Sequence, residues 1–319
     1  MHLSIRSQFL IVTVFSALFS SFVFCAVAND CPPVPQPPTA ETIEQLKANA
    51  HDHGFLWKME KSGHTSWLYG TLHVGKLEWA MPGPLIGNAL RASDTVAMEL
   101  NLADSATIQK LDIFSRQGAG KIPEALRPRI QKQLDAMCLP ASMLDAVNPM
   151  LLFESIEIMA ARREGLEFAY GVETILTGYA QAANKPIVAL ETAESQIDAL
   201  LGPQGGPTPA EMDETLQQIE QGSSVAVIQR LAQAWSQGDI DELERYASWC
   251  QCMETPSERA EMKRIADDRN GPLADSIDAL HRRGKSVFVA VGALHMVGNS
   301  GIPEQLKRKG YTVTPIEFK

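Results

Sequence analysis

Ser286-Val287-Phe288-Val289-Ala290-Val291 runs directly into Gly292-Ala293-Leu294-His295. The run is apolar almost throughout and rich in valine, as expected of a strand covered on both faces inside an α/β sheet, not a half-solvated antiparallel strand. The same arrangement recurs near the other end, where Ser66-Trp67-Leu68-Tyr69 leads into Gly70-Thr71-Leu72-His73. Glycine lets the backbone bend and approach its neighbours closely. A histidine three residues later is then presented at the C-terminal edge of the sheet, where open α/β sheets hold their ligands. Two such imidazoles from separate strands can face one another across one cleft. His51, His53, His64 and His281 lack this setting.

Working outward, further strands are expected at 55–59, 95–100, 186–190 and 312–316, with a turn at Lys61-Ser62-Gly63-His64 joining the first to the strand before His73. Helical segments are expected at 41–50, 172–184, 272–283 and 302–309, and Lys185, Gly284 and Gly310 stand where the last three should stop. The alternation predicts an α/β fold with a mixed, mostly parallel central sheet flanked by helices. Residues 103–163 and 208–268 are rich in Ala, Leu, Gln, Glu and Met at helical spacing, punctuated by Pro123, Pro128, Pro140, Pro149 and Pro256. They read as large helical insertions capping one end of the sheet. No repeat of fixed period is present, which argues against a solenoid.

The N-terminus has its own logic. Arg6 precedes an apolar stretch from Phe9 to Phe24, and Ala26-Val27-Ala28 offers small residues spaced by one. This is the order of a secretory signal peptide over residues 1–28, with cleavage after Ala28 and an uncleaved anchor as the alternative. A Pro-rich tether at 29–40 follows, and 41–319 reads as a single domain. The expected location is periplasmic or secreted. The 319-residue chain carries a formal charge of −10, and no basic stripe interleaved with aromatics is present, which excludes nucleic acid as an expected partner. Beyond the leader stand Cys31, Cys138, Cys250 and Cys252. An oxidising compartment favours bridging, and the expected bridge joins Cys138 to Cys250 or Cys252. A lone C-x-C is weak evidence for zinc.

The paired motifs also carry a resemblance. Leu68-Tyr69-Gly70-Thr71-Leu72-His73 and Val289-Ala290-Val291-Gly292-Ala293-Leu294-His295-Met296-Val297-Gly298 resemble the paired Gly-x-x-His signatures of the TraB/GumN family, related to the Tiki proteins. Glu99, Gly171-Val172-Glu173, Leu190-Glu191 with Gln196, and Arg269-Asn270 follow in the family's order. The resemblance covers about Phe55 to Phe318. The sequence departs from it at Met296, where leucine is common, and at Asp268, where Glu-Arg-Asn is frequent. An erythromycin-esterase/Tiki-like fold is implied.

So is a chemistry. Tiki proteins are regarded as metal-dependent proteases, whereas erythromycin esterases hydrolyse with a histidine base and no evident metal. The resemblance makes His73, Glu99 and His295 candidate ligands of a divalent metal, Mn, Co or Zn, with an open position for water. Glu173 or Glu191 becomes a general base or the orienter of a ligand histidine. Arg269 becomes an anchor for a substrate carboxylate or an oxyanion. The expected activity is a metal-dependent, peptidase-like hydrolase acting on a peptide or other small polymer. Metal-free ester hydrolysis and non-catalytic sequestration of a peptide or polysaccharide are the alternatives.

Overall fold

Ser62 and Gly63 take positive φ values of 53° and 79°, the geometry a tight hairpin turn needs. They join β1 (Phe55–Lys61) to β2 (His64–Thr71) in antiparallel register, with Lys61 opposite His64 and Phe55 opposite Gly70. The computed structural model describes residues 31–318, so the expected signal peptide and its cleavage after Ala28 lie outside the described residues. The remaining strands are β3 (Thr95–Met98), β4 (Ile187–Ala189), β5 (Val287–Gly292) and β6 (Thr312–Ile316). They form a six-stranded sheet of order β4-β3-β5-β2-β1-β6. The β4–β3, β3–β5 and β5–β2 pairs are parallel, and β1 runs antiparallel to both β2 and β6. The fold is the mixed, mostly parallel α/β sheet that the apolar runs implied.

The register places the two glycine motifs side by side. Gly70 of β2 pairs with Val291 of β5, and Thr71 pairs with Gly292, so both chains leave the sheet at the same edge. Central burial explains the composition of these strands: Leu68, Phe288, Val289 and Val291 have no solvent exposure, and strands covered on both faces cannot alternate apolar with polar residues.

Before β3 lie α1 (Ala40–Ala48) and α2 (Pro84–Ala92). The first insertion folds as α3 (Ser105–Arg116), α4 (Arg127–Ala136), the single turn α5 (Met143–Ala146) and α6 (Pro149–Ala161). Next come α7 (Val172–Ala182) and α8 (Ala193–Leu201). The second insertion supplies α9 (Pro209–Gln221), α10 (Ser223–Gln237), α11 (Ile240–Glu244) and α12 (Pro256–Met262). The chain closes with α13 (Asp268–His281) and α14 (Ile302–Arg308). Ile130, Leu134, Leu152, Ile156 and Leu216 make a second apolar cluster in which the two insertions pack on each other. Among the described residues no helix is long and apolar enough to cross a membrane.

Two expectations need correction. Cys250 is bonded to Cys252, not to Cys138: their Cα atoms are 5.1 Å apart, within the reach of a disulfide. Cys31 and Cys138 are disulfide-bonded too. The second correction concerns α13, which begins at Asp268 and carries Pro272 inside it instead of starting at that proline. A wide turn over Lys263–Asp267 with π-type hydrogen bonding precedes it, so the helical path continues upstream of the proline. Arg269 and Asn270 therefore belong to the first turn of the helix.

Candidate functional site

Four neighbouring strands deliver the site. At the C-terminal edge, β4 ends in Leu190-Glu191, β3 in Glu99, and β5 and β2 in the two glycine motifs. Pairing continues past the strands: the Leu190 N–H donates to Met98 O at 2.8 Å and the Glu191 N–H to Glu99 O at 3.1 Å. This holds Glu191 and Glu99 next to each other. The Gly292 N–H donates to Glu99 Oε1 at 2.8 Å. Gly292 has φ −47°, an ordinary value, so its bare Cα serves close approach instead of an unusual bend. A Cβ there would stand 3.3 Å from Glu99 Oε1 and 3.5 Å from the His295 ring.

Arg269 occupies the middle of this group. Its Nη2 donates to Glu99 Oε2 at 2.6 Å and to Glu191 Oε1, its Nε donates to Glu191 Oε2 at 3.2 Å, and its Nη1 donates to Ile265 O at 2.7 Å. Ile265 lies in the wide turn before α13, so the irregular helix supplies the carbonyl that aims the guanidinium. Gln196 Nε2 donates to Glu99 Oε2 at 3.0 Å and to Glu191 Oε1 at 3.1 Å. Burial pushes the Glu99 carboxyl up, but His295, Arg269, His73 and the Gly292 N–H outweigh it and bring the pKa down to about 2. For Glu191 burial wins, and its pKa is raised despite Arg269.

The two histidines sit in opposite environments. His295 is 6% exposed, with Nδ1 2.7 Å from Asn270 Oδ1 and Nε2 3.3 Å from Arg269 Nη1. Burial lowers its pKa to about 4; Glu99 pulls the other way, and the nearby cations Arg269 and His73 add to the lowering. The neutral ring is the favoured form. The His73 side chain is 68% exposed, and its Nδ1 lies 3.2 Å from Glu173 Oε1. The Glu173 charge, opposed by desolvation and assisted by Glu99 and Glu154, raises the His73 pKa to about 10. Glu173 also accepts from Thr71 Oγ1 at 2.5 Å. Its position in the first turn of α7 is secured where the Val172 N–H donates to Leu72 O at 2.9 Å. A Cβ on Gly171 would overlap the His73 carbonyl oxygen, so only glycine lets α7 start this close to the histidine loop.

The structure thus brings His73, Glu99, Glu173, Arg269 and His295 to one sheet edge. The two imidazoles are near enough for the His73 charge to act on His295 and for both rings to act on Glu99. Sequence reasoning did not reach Glu154 and Glu157. Both lie on α6, where burial raises the Glu154 pKa against the pull of His73 and raises that of Glu157 to about 7. The available signal was two acids in a segment that is otherwise apolar but for Ser155, Met150-Leu151-Leu152-Phe153-Glu154-Ser155-Ile156-Glu157-Ile158. The pull of His73 on Glu154 requires α6 to pass near this histidine.

The sequence profile of the TraB/PrgY/gumN family matches residues 55–315, which includes every side chain described above. The chain belongs to the TraB/PrgY/gumN family. The uncharacterised protein YbaP of Escherichia coli (strain K12) and that of Shigella flexneri are each 24% identical to it over 277 residues, covering 79% of this chain and 97% of theirs. No solved structure matches it. The matched span takes in all but the last residue of the TraB/PrgY/gumN sheet, from the first residue of β1 to Pro315 of β6.

The arrangement in this TraB/PrgY/gumN chain bears on the expected metal. Both Glu99 oxygens are engaged, by Gly292 on one side and by Arg269 and Gln196 on the other. His295 Nε2 faces a guanidinium, and His73 Nδ1 faces Glu173. Among the described residues no group of three or more His, Cys, Asp or Glu side chains is arranged to hold a metal ion. A fixed cation stands where Glu99 and His295 would share one. The donors as arranged do not fit a divalent ion.

Proposed function

We propose that this chain is a hydrolase of carbonyl compounds, esters or peptide amides, in which the two glycine-motif histidines divide the acid and base work. The observation that carries this reading is the opposed setting of two imidazoles from adjacent strand ends, one buried between Asn270 and Arg269 and the other exposed beside Glu173. Environments that push the pKa values of neighbouring groups apart are how one site runs acid and base chemistry together. His295, neutral, takes a proton at Nε2 from a water that replaces Arg269 Nη1 there, as the hydroxide oxygen bonds to the carbonyl carbon. The Arg269 N–H released from His295 donates to the negative oxygen that forms. His73, charged and open to solvent, gives a proton to the leaving oxygen or nitrogen as its bond to carbon breaks. Protons then exchange with solvent to restore both rings. Glu173 keeps His73 charged, and Glu99 with Glu191 fixes Arg269.

An exported setting accords with this reading, since the disulfides and the leader-like N-terminus both suit an oxidising compartment. The test is hydrolysis of p-nitrophenyl esters and peptide p-nitroanilides by the purified chain, alongside His73→Ala, His295→Gln and a chelator-treated sample. We expect activity that survives chelation and falls roughly 100-fold or more in either variant, the usual scale of general acid–base catalysis. A stoichiometric divalent ion, lost together with turnover in His73→Ala, would replace this mechanism with a metal-assisted one. If no probe is cleaved and the doubly substituted chain stays folded, the binding alternative takes its place.

A further inference from the structure

Asn270 is 1% exposed and stands behind His295 in the first turn of α13. Its Oδ1 lies 2.7 Å from His295 Nδ1, and the other ring nitrogen, Nε2, lies 3.3 Å from Arg269 Nη1. A guanidinium has N–H donors and no acceptor. Nε2 must therefore offer its lone pair to Arg269, and the ring's single proton sits on Nδ1, donated to Asn270 Oδ1. The same logic orients the amide, with oxygen toward the ring and nitrogen away.

That orientation has a cost. Asn270 Nδ2 is out of reach of solvent and has no hydrogen-bond partner among the described residues. A buried donor left unmade lowers stability, although leucine, of similar size, would in turn leave the His295 Nδ1–H without its acceptor. What asparagine supplies is an acceptor at a fixed place that carries no charge. Aspartate would accept the same proton but would favour the imidazolium over the neutral ring.

We propose that Asn270 is a positioning residue that locks His295 as the Nδ1–H tautomer and so keeps the Nε2 lone pair on the side of Arg269, where a water that replaces the guanidinium contact can be deprotonated. The role rests on the reading of His295 as the base. It depends on a hydrogen-bond pattern that is readable without any substrate.

The test is nitrogen NMR of the full chain labelled at histidine nitrogens, with the His295 signals assigned by their loss in His295→Gln. The wild-type ring is expected to carry its proton on Nδ1 at neutral pH. Asn270→Leu is expected to move the population toward the Nε2–H form favoured in water and to lower kcat by about tenfold or more with KM little changed, because a smaller fraction of the bound protein then carries the reactive tautomer. Asn270→Asp, which keeps the acceptor, is expected to keep the proton on Nδ1. A wild-type ring protonated on Nε2, or a folded Asn270→Leu with an unchanged tautomer, overturns the lock even if the hydrolase reading holds. The expected tautomers in a protein that cleaves none of the probes leave the lock standing and sink the hydrolase reading instead. Should Asn270→Leu fail to fold, the wild-type spectrum and Asn270→Asp still decide.

Discussion

Arg269 joins more of the site than any other side chain. It meets two carboxylates, a backbone carbonyl and an imidazole, and both it and Glu99 are 13% exposed. Removing one member of a buried ion cluster leaves the others as uncompensated charges, which typically costs about 3–5 kcal/mol. Arg269→Met should therefore lower the urea-unfolding free energy by roughly that amount. Adding Glu99→Gln and Glu191→Gln should recover much of the loss, because neutral amides do not need the guanidinium. If the triple variant is no more stable than the single one, the cluster is not the origin of the effect. At the same scale, the rate of ester cleavage should rise with pH as His295 loses its proton through about 4 and fall as His73 loses its own toward about 10. A profile with neither limb assigned to these rings, tested with His73→Gln and His295→Gln, would count against their roles. The strand-end glycine pattern led to His73 and His295 because each stands just past an apolar run, and the family resemblance led to Glu99. The glycine pattern gave Asn270 no role, because its partner lies 25 residues away in the chain. Glu154 reaches the site only through the packing of an inserted helix, and spacing along the chain carries no trace of that.

Among the elements, β3 and β5 were legible because central strands buried on both faces must be apolar throughout, a demand that leaves a visible signature, whereas β1 and β2 were legible from the turn that joins them. Helix starts were harder to read. Pro272 looked like an entrance to α13, yet the wide turn upstream carries the helical path through it, and such turns have no simple sequence mark. Helix α7 offers a test of how the site is assembled. At Gly171 a Cβ would collide with the His73 carbonyl, whereas at Gly178 in the same helix nothing lies within 4 Å. Gly171→Ala should force the histidine loop and α7 apart, destabilising by about 1–3 kcal/mol, the usual range for overpacking, and lowering hydrolysis. Gly178→Ala should stabilise by up to about 1 kcal/mol, because alanine is the better helix former. Thermal melts of the two variants side by side would show opposite shifts. Shifts of the same sign would mean that the close approach of α7 to the loop is not what glycine provides.

At the scale of the whole molecule, the insertions were visible as helical composition, but their mutual packing into a second core was not. The Cys250–Cys252 bond was likewise hidden, because four thiols are compatible with several pairings. Acid stability ties the buried site to the entire fold. Glu99 is held at about 2 by its neighbours, below its ordinary carboxylate range, so the unfolded chain takes up this proton before the native one does. The stabilisation is fully present above the unfolded value and is lost as pH falls through about 2. By linkage it amounts to roughly 3 kcal/mol, at about 1.4 kcal/mol for each tenfold difference in proton affinity between the folded and unfolded chain. His295, lowered to about 4, acts in the same direction at higher pH: the unfolded ring charges below about 6.5 while the native ring stays neutral until about 4. Glu157 opposes it. Raised to about 7, it binds its proton first in the native state and so favours folding as pH drops from there toward the ordinary carboxylate range. The expected outcome is a melting temperature that changes little between pH 7 and about 4.5, where His295 and Glu157 offset one another, and then falls steeply as Glu99 titrates. In Glu99→Gln the steep part should flatten, so that the variant is less stable than wild type at pH 6 and the gap between them closes toward pH 2. Parallel melting curves across that range would mean that the charge on Glu99 does not support the native state.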